Sequence, residues 1–242
     1  MALYTPKKVV LNWYQYDASF SIELMSSFVG GIEKQAAESV ANYKAVQHAA
    51  DGHQGLDRES WDLENIFGEY FPSLQRRSAF LTVWSYLEHQ LDQLCLLYQS
   101  ERNFALSFTD SGGQGVDRST TYLEKVARLQ GLKAGEEWNV LKTLQRIRNL
   151  FVHSDGKLQG HQGKPKDGIF ADLKKVGFLT GDEEIVIADG FLSRVIRACD
   201  DYFKLIEKAI YAEQGYSVPD YKRIVSIGSN SGAILQHEPT PD

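Results

Sequence analysis

One helical stripe constrains the fold of this chain more than any other feature. Between Ser73 and Ser100 the large apolar residues recur at three- and four-residue steps, so they fall within one narrow sector of an ideal helix. They are Phe80, Val83, Trp84, Leu87, Leu91, Leu94 and Tyr98. A stripe of this length and bulk is typical of a central helix with other helices packed on it, and it predicts a mainly α-helical bundle.

The same periodicity predicts further helices on both sides of this one. They cover residues 22–50, a short segment from Trp61 that Pro72 ends, a segment from Tyr122, residues 136–153 and residues 191–214. Before the last helix, residues 177–179 and 184–188 predict a small β-hairpin. The predicted fold class is therefore mainly α, with a small β-hairpin before the last helix.

Two glycine-rich stretches interrupt the helical pattern. Residues 109–120 show no apolar periodicity and predict a loop, and a domain boundary would have the same composition. Residues 155–168 contain several glycines and a proline and also predict a loop. We therefore expect an N-terminal helical extension at 1–72, a helical domain at 73–213 and a C-terminal tail at 214–242.

Composition and charge narrow the classes of function. The 242 residues carry 26 Lys and Arg against 32 Asp and Glu, a net charge of −6, so any contact with nucleic acid must be local. Only two cysteines occur, Cys95 and Cys199, which argues against a disulfide-built secreted domain. Because neither a signal peptide nor a stretch of about 18 apolar residues is found, we expect a cytoplasmic protein without membrane segments.

The candidate for chemistry lies at the end of the predicted helix 136–153. Arg148 is followed directly by Asn149 and, after three apolar residues, by His153, which gives the pattern R-N-x-x-x-H. Composition alone predicts about 0.8 chance matches to a loose Arg-to-His spacing, but only about 0.008 when the Asn and the gap are fixed. The pattern resembles the R-x4-6-H motif of the HEPN superfamily. Segments like TVWSYLEHQLDQL and FLSRVIRACDDYF stand in the order expected of that superfamily.

The resemblance implies a fold, an assembly and an activity. It implies an HEPN-like helical bundle over residues 73–213 and a homodimer whose two motifs face a shared cleft. It also implies cleavage of RNA without a metal ion or other cofactor, in which the 2′-hydroxyl attacks the adjacent phosphorus and leaves a 2′,3′-cyclic phosphate. Arg148 and His153 would then be catalytic, and Asn149 would orient the histidine or the phosphate. HEPN ribonucleases resemble toxins of toxin–antitoxin pairs and anti-phage effectors, which implies an inhibitory protein partner.

An ideal helix points the two motif residues in different directions. Arg146, Asn149 and His153 fall within about 60° of one another around the helix axis and form a polar stripe, whereas Arg148 lies about 140° from His153. Either the helix unwinds at His153, or Arg148 and His153 meet their counterparts across a two-fold dimer axis. The resemblance favours the second arrangement.

Three further residues are candidates for supporting roles. Arg146 on the polar stripe and Lys157 on the following loop are predicted to bind RNA phosphates, and Glu88 is predicted to pair with Arg148. Each has an ordinary structural alternative, as a helix-end charge or a solvated side chain. No spacing of His, Cys and carboxylates predicts a metal site.

Two other functions stay open at this level. A non-catalytic HEPN-like module that binds nucleotide or another protein would show binding without turnover. A regulatory dimer, in which the motif makes only interface contacts, would lose association when His153 is replaced by alanine.

Overall fold

The computed structural model describes residues 13–50, 63–158, 168–181 and 183–216. Its helices are α1 (Ser19–Ala50), α2 (Leu63–Asn65), α3 (Phe71–Arg102), α4 (Gly115–Lys125), α5 (Glu136–Ser154), α6 (Ile169–Val176) and α7 (Phe191–Glu213). Strands β1 (Leu179–Thr180) and β2 (Val186–Ile187) form an antiparallel hairpin before α7. The predicted fold class, mainly α with a hairpin before the last helix, is confirmed. Most of the predicted C-terminal tail lies outside the described residues.

Helix α3 is the centre of the core, as its apolar stripe predicts. All seven stripe residues are buried. The ring of Phe80 meets Phe151 of α5 and Phe191 of α7 edge-on, with centroids 6.0 and 5.2 Å apart. Such edge-to-face contacts stabilise a core beyond the area that they bury. The C-terminal end of α5 is therefore fixed against both of the long helices.

Pro72 does not end a helix, so the predicted stop there is wrong. A π-helical turn at Ile66–Tyr70 joins α2 to α3, and Tyr70 keeps helical angles of φ −66° and ψ −51°. The Phe71 amide donates to the Ile66 carbonyl, five residues back. Because this wider turn ends just before the proline, Pro72 falls in the first turn of α3, where a missing N–H is tolerated.

The segment from Trp13 through α1 packs on α3 and α7. The Trp13 ring meets Phe203 edge-on at 5.3 Å, and the Tyr14 hydroxyl donates to Asp200 at 2.5 Å. Further along, Arg76 of α3 donates to Glu33 of α1 at 2.7 Å. Polar contacts just before α1 and near its middle thus tie this segment to α7 and α3.

The predicted loop 109–120 is partly helical, because α4 begins at Gly115. Hydroxyl side chains form part of its inner face, beside the buried Val116 and Leu123. Ser119 donates to Asp92 at 2.5 Å, and Thr120 lies 2.8 Å from the Tyr202 hydroxyl. Buried Ser and Thr give no apolar periodicity, so the pattern that detects the other helices fails here.

Helix α6 follows the predicted loop and was not expected from the sequence. Its inner face consists of Asp172, Leu173 and Val176, all buried. Its apolar residues recur at helical steps, but a run of eight residues directly after a glycine-rich stretch is shorter than the about 10 residues from which a helix is recognised in a sequence. It leads into the hairpin, in which Leu179 pairs with Ile187. The chain just after α5 joins this hairpin, since Lys157 forms a β-bridge with Glu184.

Candidate functional site

The motif helix α5 stays helical through Ser154. Asp155 ends it in the left-handed region, with φ 53° and ψ 34°, and its amide donates to the Leu150 carbonyl. Unwinding at His153 is therefore excluded. Arg148 and His153 keep their separation of about 140° around the axis, so they do not converge within one chain.

Arg148 is a half-buried arginine with a single neighbouring partner. Its Nη1 donates to Asn149 Oδ1 at 3.1 Å. Within the described ranges, no carboxylate lies at ion-pair distance from its guanidinium. Asn149 is itself exposed and holds the guanidinium from the side of the polar stripe. The arrangement leaves most of the guanidinium donors available to an anion.

His153 stands exposed in the last turn of α5. Among the described residues, no side chain or backbone group hydrogen-bonds to its imidazole. Its neighbour Val152 is 48% exposed. The imidazole is thus accessible to a ligand or to a second chain.

A residue that the sequence did not single out, Arg77 of α3, supports this last turn. Its Nη2 donates to the Phe151 carbonyl at 3.1 Å and to Asp155 Oδ1 at 2.5 Å. Its Nη1 lies 3.9 Å from Glu184, and the guanidinium sits 5.2 Å from the Phe151 ring centroid. Arg77 therefore satisfies a free carbonyl at the C-terminus of α5 and fixes the backbone on both sides of His153.

Arg146, predicted to bind phosphate, is engaged by α6. Its Nε and Nη2 form a bidentate pair with the Asp172 carboxylate, with 2.5 Å from Nε to Oδ2. These hydrogen bonds raise the pKa of Arg146 further above its ordinary value, so the guanidinium stays charged. Its side chain remains 56% exposed, but Asp172 neutralises its charge.

Glu88, predicted to pair with Arg148, has other partners. Its Oε1 accepts a hydrogen bond from the Trp84 indole at 2.9 Å. The Glu88 carboxylate also packs against Gly115, the first residue of α4, and occupies the space that a Cβ at position 115 would need. The structure therefore places Glu88 at the α3–α4 contact and does not bring it to Arg148.

Lys157, the second predicted phosphate ligand, lies one turn beyond His153. Its amide donates to the Ser154 carbonyl at 2.9 Å, and its side chain is exposed. The next residue, Leu158, is fully buried, and its amide donates to the Glu183 carbonyl at 2.8 Å. The backbone at Lys157 is thus held by the hairpin and is not a free loop.

Within the described part of the chain, no group of three His, Cys, Asp or Glu residues has the arrangement of a metal site. Burial raises the pKa of the Cys199 thiol to about 12 and that of Cys95 above its ordinary value, as expected for inert thiols. No described helix is long and apolar enough to cross a bilayer.

Comparisons with known protein families, curated proteins and solved structures find no match to this chain. A function for this chain is therefore inferred from the R-N-x-x-x-H motif and the residues around it.

Proposed function

We propose that this protein is a metal-independent endoribonuclease of the HEPN type that acts through Arg148 and His153 in a homodimer. The observation that carries the proposal is the contrast at the end of α5. Arg148 and His153 are accessible and form no ion pair within the described residues, whereas the nearby Arg77 and Arg146 are both paired. Accessible charge on a firmly held helix end is the arrangement that phosphate chemistry requires.

The proposed reaction is transesterification within the RNA strand. The substrate's 2′-oxygen forms a bond to the adjacent phosphorus and the bond from phosphorus to the 5′-oxygen breaks, so a 2′,3′-cyclic phosphate and a 5′-hydroxyl result. His153 takes the proton from the 2′-hydroxyl, and a solvent or imidazolium proton goes to the leaving 5′-oxygen. Arg148 stabilises the extra negative charge on the phosphorane oxygens with its planar array of donors.

The direction of the two side chains supports a dimer. Because α5 is regular to Ser154, Arg148 of one protomer reaches a shared phosphate together with His153 of another more readily than with its own. Exposed Val152, between the two residues in sequence, supplies apolar area to such an interface. The proposal also extends to the toxin or anti-phage role, the cytoplasmic location and the inhibitory partner that the HEPN resemblance implies.

The test is incubation of the wild type with total RNA in EDTA. We expect the wild type to produce 2′,3′-cyclic phosphate ends, and His153→Ala and Arg148→Ala to produce none while their helical circular dichroism is unchanged. His89→Ala, which removes another exposed histidine, is the matched control and should cleave normally.

Three results would overturn the proposal. A strict need for added divalent ions would contradict metal-independent chemistry. RNA binding without any cleavage would point to a non-catalytic module, and loss of self-association in His153→Ala without an activity to lose would point to a regulatory dimer.

A further inference from the structure

The surface around the end of α5 differs in charge from the molecule as a whole. Residues 146–158 and 168–176 contain five Lys and Arg and two carboxylates, although the chain has a net charge of −6. Arginines engage both carboxylates: Arg77 pairs with Asp155, and Arg146 pairs with Asp172. The local field is therefore positive.

Three lysines supply most of the remaining charge. Lys157, Lys174 and Lys175 are exposed, and through the described part of the chain none of their side chains forms an ion pair or hydrogen bond. Lys157 follows the end of α5, four residues after His153, where it forms a β-bridge with Glu184. Lys174 and Lys175 lie on α6, whose position beside this stripe is fixed by the pair between Arg146 and Asp172.

The two lysines of α6 face different directions. Asp172 faces α5, and Lys175, three residues on, lies about 60° from it around the helix axis. Lys174 lies about 160° from Asp172 and so faces away from α5. Lys175 therefore lies on the side of α6 nearer to α5, whereas Lys174 lies on the opposite side of the helix.

We propose that Lys175 and Lys157, together with Asn149 and His153 of the polar stripe, form a phosphate-binding track for single-stranded RNA. This inference deepens the proposed function, on which it rests. The stripe from Arg146 to His153 is about 10 Å long, so it can contact a short run of backbone phosphates of one strand. Asp172 has a structural role in the track, since it holds α6 against α5 and is itself neutralised.

The test measures binding separately from cleavage. The probe is a fluorescein-labelled 12-nucleotide 2′-O-methyl RNA, which lacks the attacking hydroxyl and stays intact on the wild-type protein. Fluorescence anisotropy gives its affinity between 50 and 200 mM salt. We expect Lys175→Ala to weaken binding about threefold at the lower salt concentration and to reduce the slope of log affinity against log salt by about 0.7.

Lys174→Ala is the matched control, because it removes the same charge from the same helix on the far edge. Equal losses from the two variants, or no binding by the wild type, would overturn the inference. Cleavage of unmodified RNA separates this inference from the proposed function. If the wild type cleaves RNA but Lys175→Ala binds the probe normally, the ribonuclease proposal is supported and the track is contradicted. If binding depends on Lys175 but no RNA is cleaved, the track is supported and the ribonuclease proposal is contradicted.

Discussion

Four arginines near the motif show how little the identity of a residue says about its role. Arg77 and Arg146 are engaged by carboxylates, Arg76 ties α3 to α1, and Arg148 has only Asn149. A guanidinium with a carboxylate partner holds two segments of the chain together, whereas a guanidinium without such a partner is available to an external phosphate. The difference depends on which acidic side chain folds next to each arginine.

Replacement of Arg77 by methionine tests its positioning role at the residue scale. Methionine keeps much of the apolar length but loses the bonds to the Phe151 carbonyl and Asp155, so we expect a loss of about 2 kcal/mol in unfolding free energy. The last turn of α5 should fray, so backbone amides there should exchange faster and RNA cleavage should slow. Urea denaturation, hydrogen exchange and cleavage rates measure the three effects.

Arg102→Met is the control for this variant. Arg102 pairs with Glu213 at 3.0 Å and is 21% exposed, close to the 16% of Arg77, but it lies at the far end of α3. It should lower stability without changing exchange in α5 or cleavage. If both variants slow cleavage equally, Arg77 contributes only to general stability.

The sequence reveals the motif residues but not their supports. Arg148, Asn149 and His153 are recognisable because they are close in sequence and their spacing is rare. The contact between Arg77 and Asp155 joins residues 78 positions apart, so no local pattern predicts it. Glu88 illustrates the same limit, because its position beside the α3 stripe does not say that it turns toward Gly115.

At the scale of elements, apolar periodicity predicts the helices whose buried faces consist of large apolar side chains. It gives α3, α5 and α7, whose inner faces are large and apolar. It misses α6, which has only eight residues and turns a buried aspartate inward, and the start of α4, where Ser119 and Thr120 share the inner face with Val116. The sequence also predicts a helix end at Pro72, because no sequence pattern indicates the π-helical turn that places this proline in the first turn of α3.

The tie between α1 and α3 predicts a pH effect. Burial raises the pKa of Glu33 above its ordinary value of 4.5, and the negative charge of Asp189 adds to this, against the lowering effect of Arg76. The folded state therefore binds a proton more readily than the unfolded state. The stability that this group contributes is fully present below pH 4.5 and is lost as the pH rises through the raised pKa.

Glu33→Gln removes this titration. We expect the stability of the wild type, relative to Glu33→Gln, to fall as the pH rises from 4.5, as measured by urea denaturation at a series of pH values. Glu38→Gln on the same helix, where the side chain is 62% exposed, should follow the wild type. Parallel stability curves for wild type and Glu33→Gln would show that Glu33 is not linked to folding.

At the scale of the whole molecule, the proposed activity needs more than one chain. The net charge of −6 repels RNA at long range in a monomer and in a dimer alike, so binding depends on the local basic track, which a second copy would extend across a two-fold axis. The regular helical geometry at the end of α5 also favours a dimer, because Arg148 and His153 point in different directions within each protomer. A shared site across a two-fold axis satisfies both requirements.

Mixing two inactive variants tests this shared site. Arg148→Ala retains His153, and His153→Ala retains Arg148, so a mixed dimer contains one intact pair if each site takes one residue from each protomer. Random reassociation makes half of the dimers mixed, with one of two sites active, so about a quarter of wild-type cleavage should return. Each variant mixed with itself is the control. If the mixture stays inactive although mass spectrometry shows mixed dimers, both residues act within one chain, and a strictly monomeric protein by light scattering would remove the shared site altogether.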